Sequence, residues 1–275
     1  MKFGLCNEMY ERVTDWTTPE AFAPIAACGY EGVELTPYTI SQYVTDISAD
    51  TRRKVRDAAR RAGLEMIGIH WVLARTEGLH VSHPDESIRK KTENYLVELV
   101  RFCADVGGKI IVFGSPAQRD VLEGMTYEQA WDGAQKSFRP MCAEAAERGV
   151  TVCMEPLARS ITNFINTAEE AVRFVREINH PHLKIILDCF SMGDDVKPRE
   201  ALLREHAAYL AHVHANDVNK LGPGMAENGV DFRKVGDALK DIGYQGYVSV
   251  EVFDFTPGAD VIARKSIEHL REMMD

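Results

Sequence analysis

The sequence predicts an α/β chain closed into a (β/α)8 TIM barrel, one domain over residues 1–275. Three observations carry this. Eight short runs rich in Val, Ile, Leu and Phe recur roughly every 25 to 45 residues, each followed by a polar loop and a longer stretch of helical periodicity. The runs are almost continuously apolar, as strands of a helix-covered parallel sheet are, whereas an antiparallel sheet with a wet face would alternate. The excess loop length follows the strands, and the returns from helix to strand are short. A doubly wound open sheet is the alternative if one or two of the strands fail.

In chain order the strands are KFGLCNE (2–8), GVELTP (32–37), LEMIGIHW (64–71), KIIVFGSP (109–116), VTVCMEP (150–156), LKIILD (183–188), LAHVHAND (210–217) and YVSVEVF (247–253). Helical periodicity fills 18–28, 49–62, 86–107, 127–148, 167–179, 198–208, 231–243 and 259–273. Thr18 before Pro19 marks an N-cap, Thr167 with Glu170 reads as a capping box, and Gly63, Gly149 and Gly243 fall where C-cap glycines belong. No linker rich in Pro, Gly or Ser divides the chain.

Composition narrows the function. A net charge of -10, without a concentrated Lys/Arg arm, argues against nucleic acid as a partner. Six cysteines are scattered without a CxxC pair, which suits buried thiols in a reducing compartment. MKFGLCNEMY lacks the apolar stretch of a signal peptide and no segment approaches bilayer-spanning length, so a cytoplasmic protein with no membrane partner is expected.

Four strand ends carry the chemistry. Glu155 closes VTVCME, Asp188 closes LKIILD, His214 closes LAHVH and Glu251 closes YVSVE. One strand-end acid is ordinarily a cap facing solvent or an arginine. Successive strands of a parallel barrel, however, bring their C-terminal ends to one rim, where three carboxylates and an imidazole converge. Unpartnered, such buried carboxylates would cost several kcal/mol each, so a shared divalent cation is the simplest way to hold them. Hard oxygen donors with one imidazole suit Mn²⁺ or Mg²⁺ and tolerate Co²⁺ or Zn²⁺.

With MEP around Glu155, ILD at Asp188, HVHAND around His214 and VSVEVF around Glu251, the chain resembles the xylose-isomerase-like barrel superfamily. The resemblance is to its sugar isomerase/epimerase branch, which includes ketose 3-epimerases, hydroxypyruvate isomerases and inosose dehydratases. It implies that Glu155, Asp188, His214 and Glu251 bind one divalent cation, and that Glu155 and Glu251 also act as the catalytic acid/base pair. The implied reaction is proton abstraction alpha to the carbonyl of a ketose or related keto-polyol through a metal-stabilised enediolate. Return of the proton gives an epimer or isomer. Expulsion of a leaving group makes the alternative, a lyase or dehydratase acting on a 3-keto sugar, keto acid or inosose. A homodimer or homotetramer is implied as well.

The chain departs from the ketose 3-epimerase pattern at three places. In EPLARSI, Ile161 stands where those enzymes carry a second glutamate; in DCFS, Ser191 replaces a histidine; in HANDVNK, Lys220 replaces an arginine and its bidentate fork. Substrate contacts are expected from His70, Trp71, Arg159 and Lys220, and a buried supporting role from His212, which shares the side of the strand with His214. Glu8 and Glu34 read as structural partners of loop Arg or Lys. GSPAQR suggests Arg119 near a polar substrate, GPG at 222–224 suggests a mobile turn over the rim, and His80 and His83 read as an exposed loop.

Overall fold

The computed structural model describes residues 1–274. Eight parallel strands close into a barrel in sequence order, with β1 pairing both β2 and β8. The strands are β1 (Lys2–Cys6), β2 (Gly32–Leu35), β3 (Glu65–Ile69), β4 (Ile110–Phe113), β5 (Thr151–Met154), β6 (Leu183–Asp188), β7 (Leu210–Ala215) and β8 (Tyr247–Val250). The helices between and after them are α1 (Pro19–Ala27), α2 (Ala49–Arg61), α3 (Glu86–Asp105), α4 (Tyr127–Arg148), α5 (Ala168–Ile178), α6 (Arg199–Glu205), α7 (Phe232–Asp241) and α8 (Ala259–Met274). The barrel, its order and its single domain are those the apolar runs predict, and the open-sheet alternative is excluded by the β1–β8 ladder. Several strands end before the expected boundaries, because the residues that follow leave the ladder to build the rim.

Local signals set the helix ends. Thr167 and Glu170 form a reciprocal capping box at α5, as do Thr126 and Gln129 at α4. Gly149 closes α4 at φ +63°, a left-handed conformation that costs glycine little. Thr18 takes the N-cap backbone position of α1, but its side chain makes no capping bond, and Pro19 alone supplies the start signal. The main core lies between sheet and helices. Phe138 of α4 links Phe113 of β4 (4.8 Å between centroids) to Phe174 of α5 (5.3 Å), edge to face in both contacts.

Inside the barrel, alternate residues of each strand point to the axis. Val112, Cys153 and Ile186 form a small apolar cluster there, and the residues two positions beyond the last two are Glu155 and Asp188. All six cysteines are unpaired thiols, five of them buried. Among the described residues no helix is long and apolar enough to cross a membrane.

Candidate metal centre

Strand parity and register assemble the cluster. Asp188 pairs in register with His214, and His214 with Ser249, two residues before Glu251. Glu155 and Glu251 each lie one residue beyond their strands. One potential ligand atom from each of Glu155, Asp188, His214 and Glu251 lies within 4.8 Å of the other three, and all four residues are buried. Their meeting place is the C-terminal end of the barrel, the end where the long loops gather.

The chemistry of the donor set fits a divalent cation. Glu155 Oε1 is buried without a hydrogen-bond partner. Burial, then the charges of Glu251 and Asp188, hold the Glu155 carboxyl well above the usual range. Burial and Glu251 push Asp188 up to about 6. Burial opposes the charge of Glu251 too, but the His214 imidazole outweighs it and holds the carboxyl below its ordinary value. His214 itself is raised well above the usual imidazole range: burial works against its charge, and Glu251 and Glu34 overcome it. Three acids sharing one imidazole are short of positive charge, and a divalent cation held by these four residues would supply it.

Neighbouring groups orient each member. Trp71 donates from Nε1 to Glu251 Oε1 at 2.7 Å, and His214 Nδ1 lies 3.1 Å from Glu251 Oε2. Asn216 donates to Asp188 Oδ2 at 2.5 Å, and the Ser191 N–H donates to Asp188 Oδ1 at 2.7 Å. Glu34 holds His214 Nε2 at 3.2 Å and also accepts from His212 Nε2. A carboxylate behind a ligating histidine fixes its tautomer and ring orientation. Gly114, just past β4, makes room for Glu155: a Cβ at this position would collide with Glu155 Oε2.

The other expected residues are distributed differently. Trp71 lines the cavity beside Glu155 and Glu251, at φ +49°. His70 is fully buried, its Nε2 lying 2.9 Å from both Glu8 Oε2 and Thr36 Oγ1. Arg159 is exposed, and its backbone N–H donates to Asp194. Lys220 sits at φ +68° with Nζ over the Phe190 ring, 5.6 Å from its centroid. His212 is buried against Glu34.

Four readings of the loops change. Glu8 and Glu34 are paired, but with histidines rather than Arg or Lys. Arg119 is fully buried and donates to the carbonyls of Glu155 and Ile165, so it braces the rim. His80 is buried, not exposed, because Ser82 N–H caps its ring and its own N–H bonds Thr92 of α3. The GPG turn is pinned, Gly224 N–H donating to Asp217 and Gly222 packing against Ser266 of α8.

Sequence reasoning missed Asp217, whose buried carboxylate accepts from the N–H groups of Val218, Gly224, Ala226 and Val230 and so organises the loop after β7. It also missed the rim bonds that link neighbouring loops. Leu73 N–H donates to Ser115, Arg119 to the Glu155 carbonyl, Arg159 N–H to Asp194 and Phe190 N–H to Asn216. The series continues with Phe253 N–H to the Lys220 carbonyl, Val252 N–H to Glu8, Thr36 N–H to Asn7 and the Thr36–His70 contact, which returns to the loop of Leu73. The asparagine in HAND was visible in the sequence; its partner across the sheet was not.

Relatives share this architecture. The chain is 27% identical over 258 residues to a D-psicose 3-epimerase of Ruminiclostridium cellulolyticum, covering 92% of this chain and 84% of that one. It is 28% identical over 264 residues to a 3-dehydro-D-guloside 4-epimerase of Escherichia coli, covering 91% and 92%. Among solved structures, a D-psicose 3-epimerase from Clostridium cellulolyticum H10, crystallised with D-tagatose, aligns over 100% of both chains with a TM-score of 0.86 at 23% identity. The apo 3-keto-D-glucoside 4-epimerase from E. coli aligns over 99% of both chains at 0.83 and 23%. These structural likenesses speak to the fold. Residues 22–273 match the family described as xylose isomerase-like TIM barrel, and the chain belongs to that family.

Proposed function

We propose that the protein is a divalent-metal-dependent epimerase that moves a proton at a carbon next to the carbonyl of a keto-sugar. One observation carries the reading: Glu155 and Glu251, from β5 and β8, belong to the same four-residue cluster and also line the same cavity. Relatives over most of the chain named as epimerases of D-psicose and of a 3-dehydro-guloside support the reaction class. Glu155, Asp188, His214 and Glu251 would hold the cation, Mn²⁺ or Mg²⁺ on the hardness of the oxygen donors. When bound, the cation supplies a Lewis acid for charge developing on the substrate carbonyl oxygen.

The side chains do the rest. One glutamate takes the proton and the other delivers one from the far side, which inverts the carbon. Glu251, oriented by His214 and Trp71, and Glu155, whose Oε1 has no hydrogen-bond partner, would both bind the cation as carboxylates and exchange the base and acid roles with the direction of the reaction. Trp71 lines the cavity beside this pair, and Lys220 and Arg159 remain proposed substrate contacts from the neighbouring loops. The homodimer or homotetramer belongs to the same proposal and is read by light scattering. The decisive experiment incubates metal-loaded protein with keto-sugars in D₂O and follows deuterium incorporation and product mass. Incorporation without loss of atoms, abolished in Glu155→Gln and Glu251→Gln, is expected. Loss of water or an aglycone marks a lyase, and no incorporation with any keto-sugar overturns proton transfer altogether.

A further inference from the structure

The cavity beside Glu155 and Glu251 has a volume of about 370 Å³, and two of the side chains that line it, Arg75 and Gln118, have polar ends with no use inside the protein. In a chain with a net charge of -10, the Arg75 guanidinium makes no ion pair among the described residues, and the Gln118 side-chain amide makes no hydrogen bond. The loops that carry them, after β3 and β4, are tied together. Leu73 N–H donates to Ser115 Oγ at 3.2 Å and Val81 N–H to the Gln118 carbonyl at 2.9 Å, so both free groups belong to one wall.

Arg75 is held in an unusual backbone conformation, at φ +64°, by a turn that is bonded on both sides of it. Ala74 N–H donates to the Trp71 carbonyl at 3.0 Å, Thr76 N–H to the Leu73 carbonyl at 3.2 Å, and Gln42 Nε2 to the Arg75 carbonyl at 2.9 Å. The guanidinium lies over the Tyr38 ring, 4.1 Å from its centroid. Tyr38 in turn meets Trp71, with centroids 6.2 Å apart, so the charge stands at the end of an aromatic row. One face of the planar group is covered, and its N–H edges are unbonded.

We infer that the substrate is a keto-sugar acid, whose carboxylate, at the end remote from the reacting carbon, is gripped by Arg75 with the Gln118 amide as a second donor. The inference rests on the epimerase reading and names its substrate class. A neutral sugar would take water from the guanidinium and return no counter-charge, whereas a carboxylate matches its two parallel N–H donors. The carboxylates already in the cavity, Glu155 and Glu251, belong to the four-residue cluster and leave this charge unanswered. A phosphate suits the wall less well. It brings up to two charges against one guanidinium, and the loop after β4 offers little backbone to meet them: Pro116 has no N–H, and those of Gln118 and Arg119 are spent on the carbonyls of Ser115 and Pro116.

The test compares D-fructuronate, D-fructose and D-fructose 6-phosphate, which differ only at the sixth carbon, on Mn²⁺-loaded protein. Dissociation constants are read by calorimetry and deuterium incorporation by mass. D-fructuronate is expected to bind about 10- to 100-fold more tightly than D-fructose. Arg75→Gln should bring that ratio to within about 3-fold of unity, and Arg75→Lys, which keeps the charge and loses the fork, should restore part of it. Equal affinity for D-fructuronate and D-fructose overturns the inference and leaves the epimerase reading intact. A preference for D-fructuronate that survives Arg75→Gln overturns the assignment to Arg75, and tighter binding of D-fructose 6-phosphate overturns the carboxylate. An Arg75-dependent preference with no deuterium incorporation on any probe upholds the carboxylate site and overturns the epimerase reading.

Discussion

The indole of Trp71 and the carboxylate of Glu251 are joined by a 2.7 Å hydrogen bond that spans the rim from the end of β3 to the end of β8. The same indole stacks on Phe253, two residues beyond the glutamate, so one side chain helps to fix the direction of Glu251. Trp71→Phe keeps the stack and removes the donor. A hydrogen bond to a charged group is worth about 1.5–3 kcal/mol, so kcat should fall about 10- to 100-fold with metal content unchanged. Steady-state kinetics with metal analysis checks both; an unchanged kcat would remove Trp71 from the positioning of Glu251.

Glu34 holds His214 from behind without itself touching the cavity. Glu34→Gln retains the shape and loses the charge that favours the donating Nε2–H. Metal affinity is expected to drop about 10- to 100-fold, measured by competition with a chelating dye.

Gly114 is expected to tolerate no side chain. A methyl there would displace Glu155 Oε2, and displacement of a reacting group by about 1 Å costs on the order of 100-fold in rate. Gly114→Ala should therefore lose activity while its far-UV circular dichroism stays that of the parent.

The pH dependence of metal-free protein has a definite sign. Asp188, at about 6, and Glu155, raised well above the usual carboxylate range, bind protons in the folded state that the unfolded chain has already released. Folded protein then carries the larger proton count above about pH 4, the ordinary carboxylate range, and stability falls as pH rises through that window. His214 acts in the same direction, because the stability its raised value confers is full below the unfolded imidazole range and is lost as pH climbs through the folded one. Tm of chelator-treated protein should thus decline between pH 5 and pH 8, and Glu155→Gln should flatten the decline. Adding Mn²⁺ should release protons and raise Tm most at the alkaline end, as calorimetry in buffers of different ionisation enthalpy would record.

Much of this site was legible before any coordinates. Apolar runs ending in Glu155, Asp188, His214 and Glu251 located strand ends, and the two-residue period of strands turned those ends toward one axis. Trp71 was legible as a cavity residue but not as a partner of Glu251, since nothing local to β3 specifies what β8 presents. Glu34, Glu8 and Asp217 were obscure for the same reason: each is explained by partners dozens of residues away or by backbone N–H groups that carry no sequence signature. His80 was misjudged because polar neighbours suggested water, whereas α3 covers it.

The bonds between neighbouring loops run around the whole mouth of the barrel, from Leu73–Ser115 through Phe253–Lys220 to Thr36–His70. Each loop of the entrance is thereby tied to both of its neighbours, so swinging any one of them outward would break bonds on either side, whereas exchanging a lining residue such as Ile161 would reshape the opening with the hoop left whole.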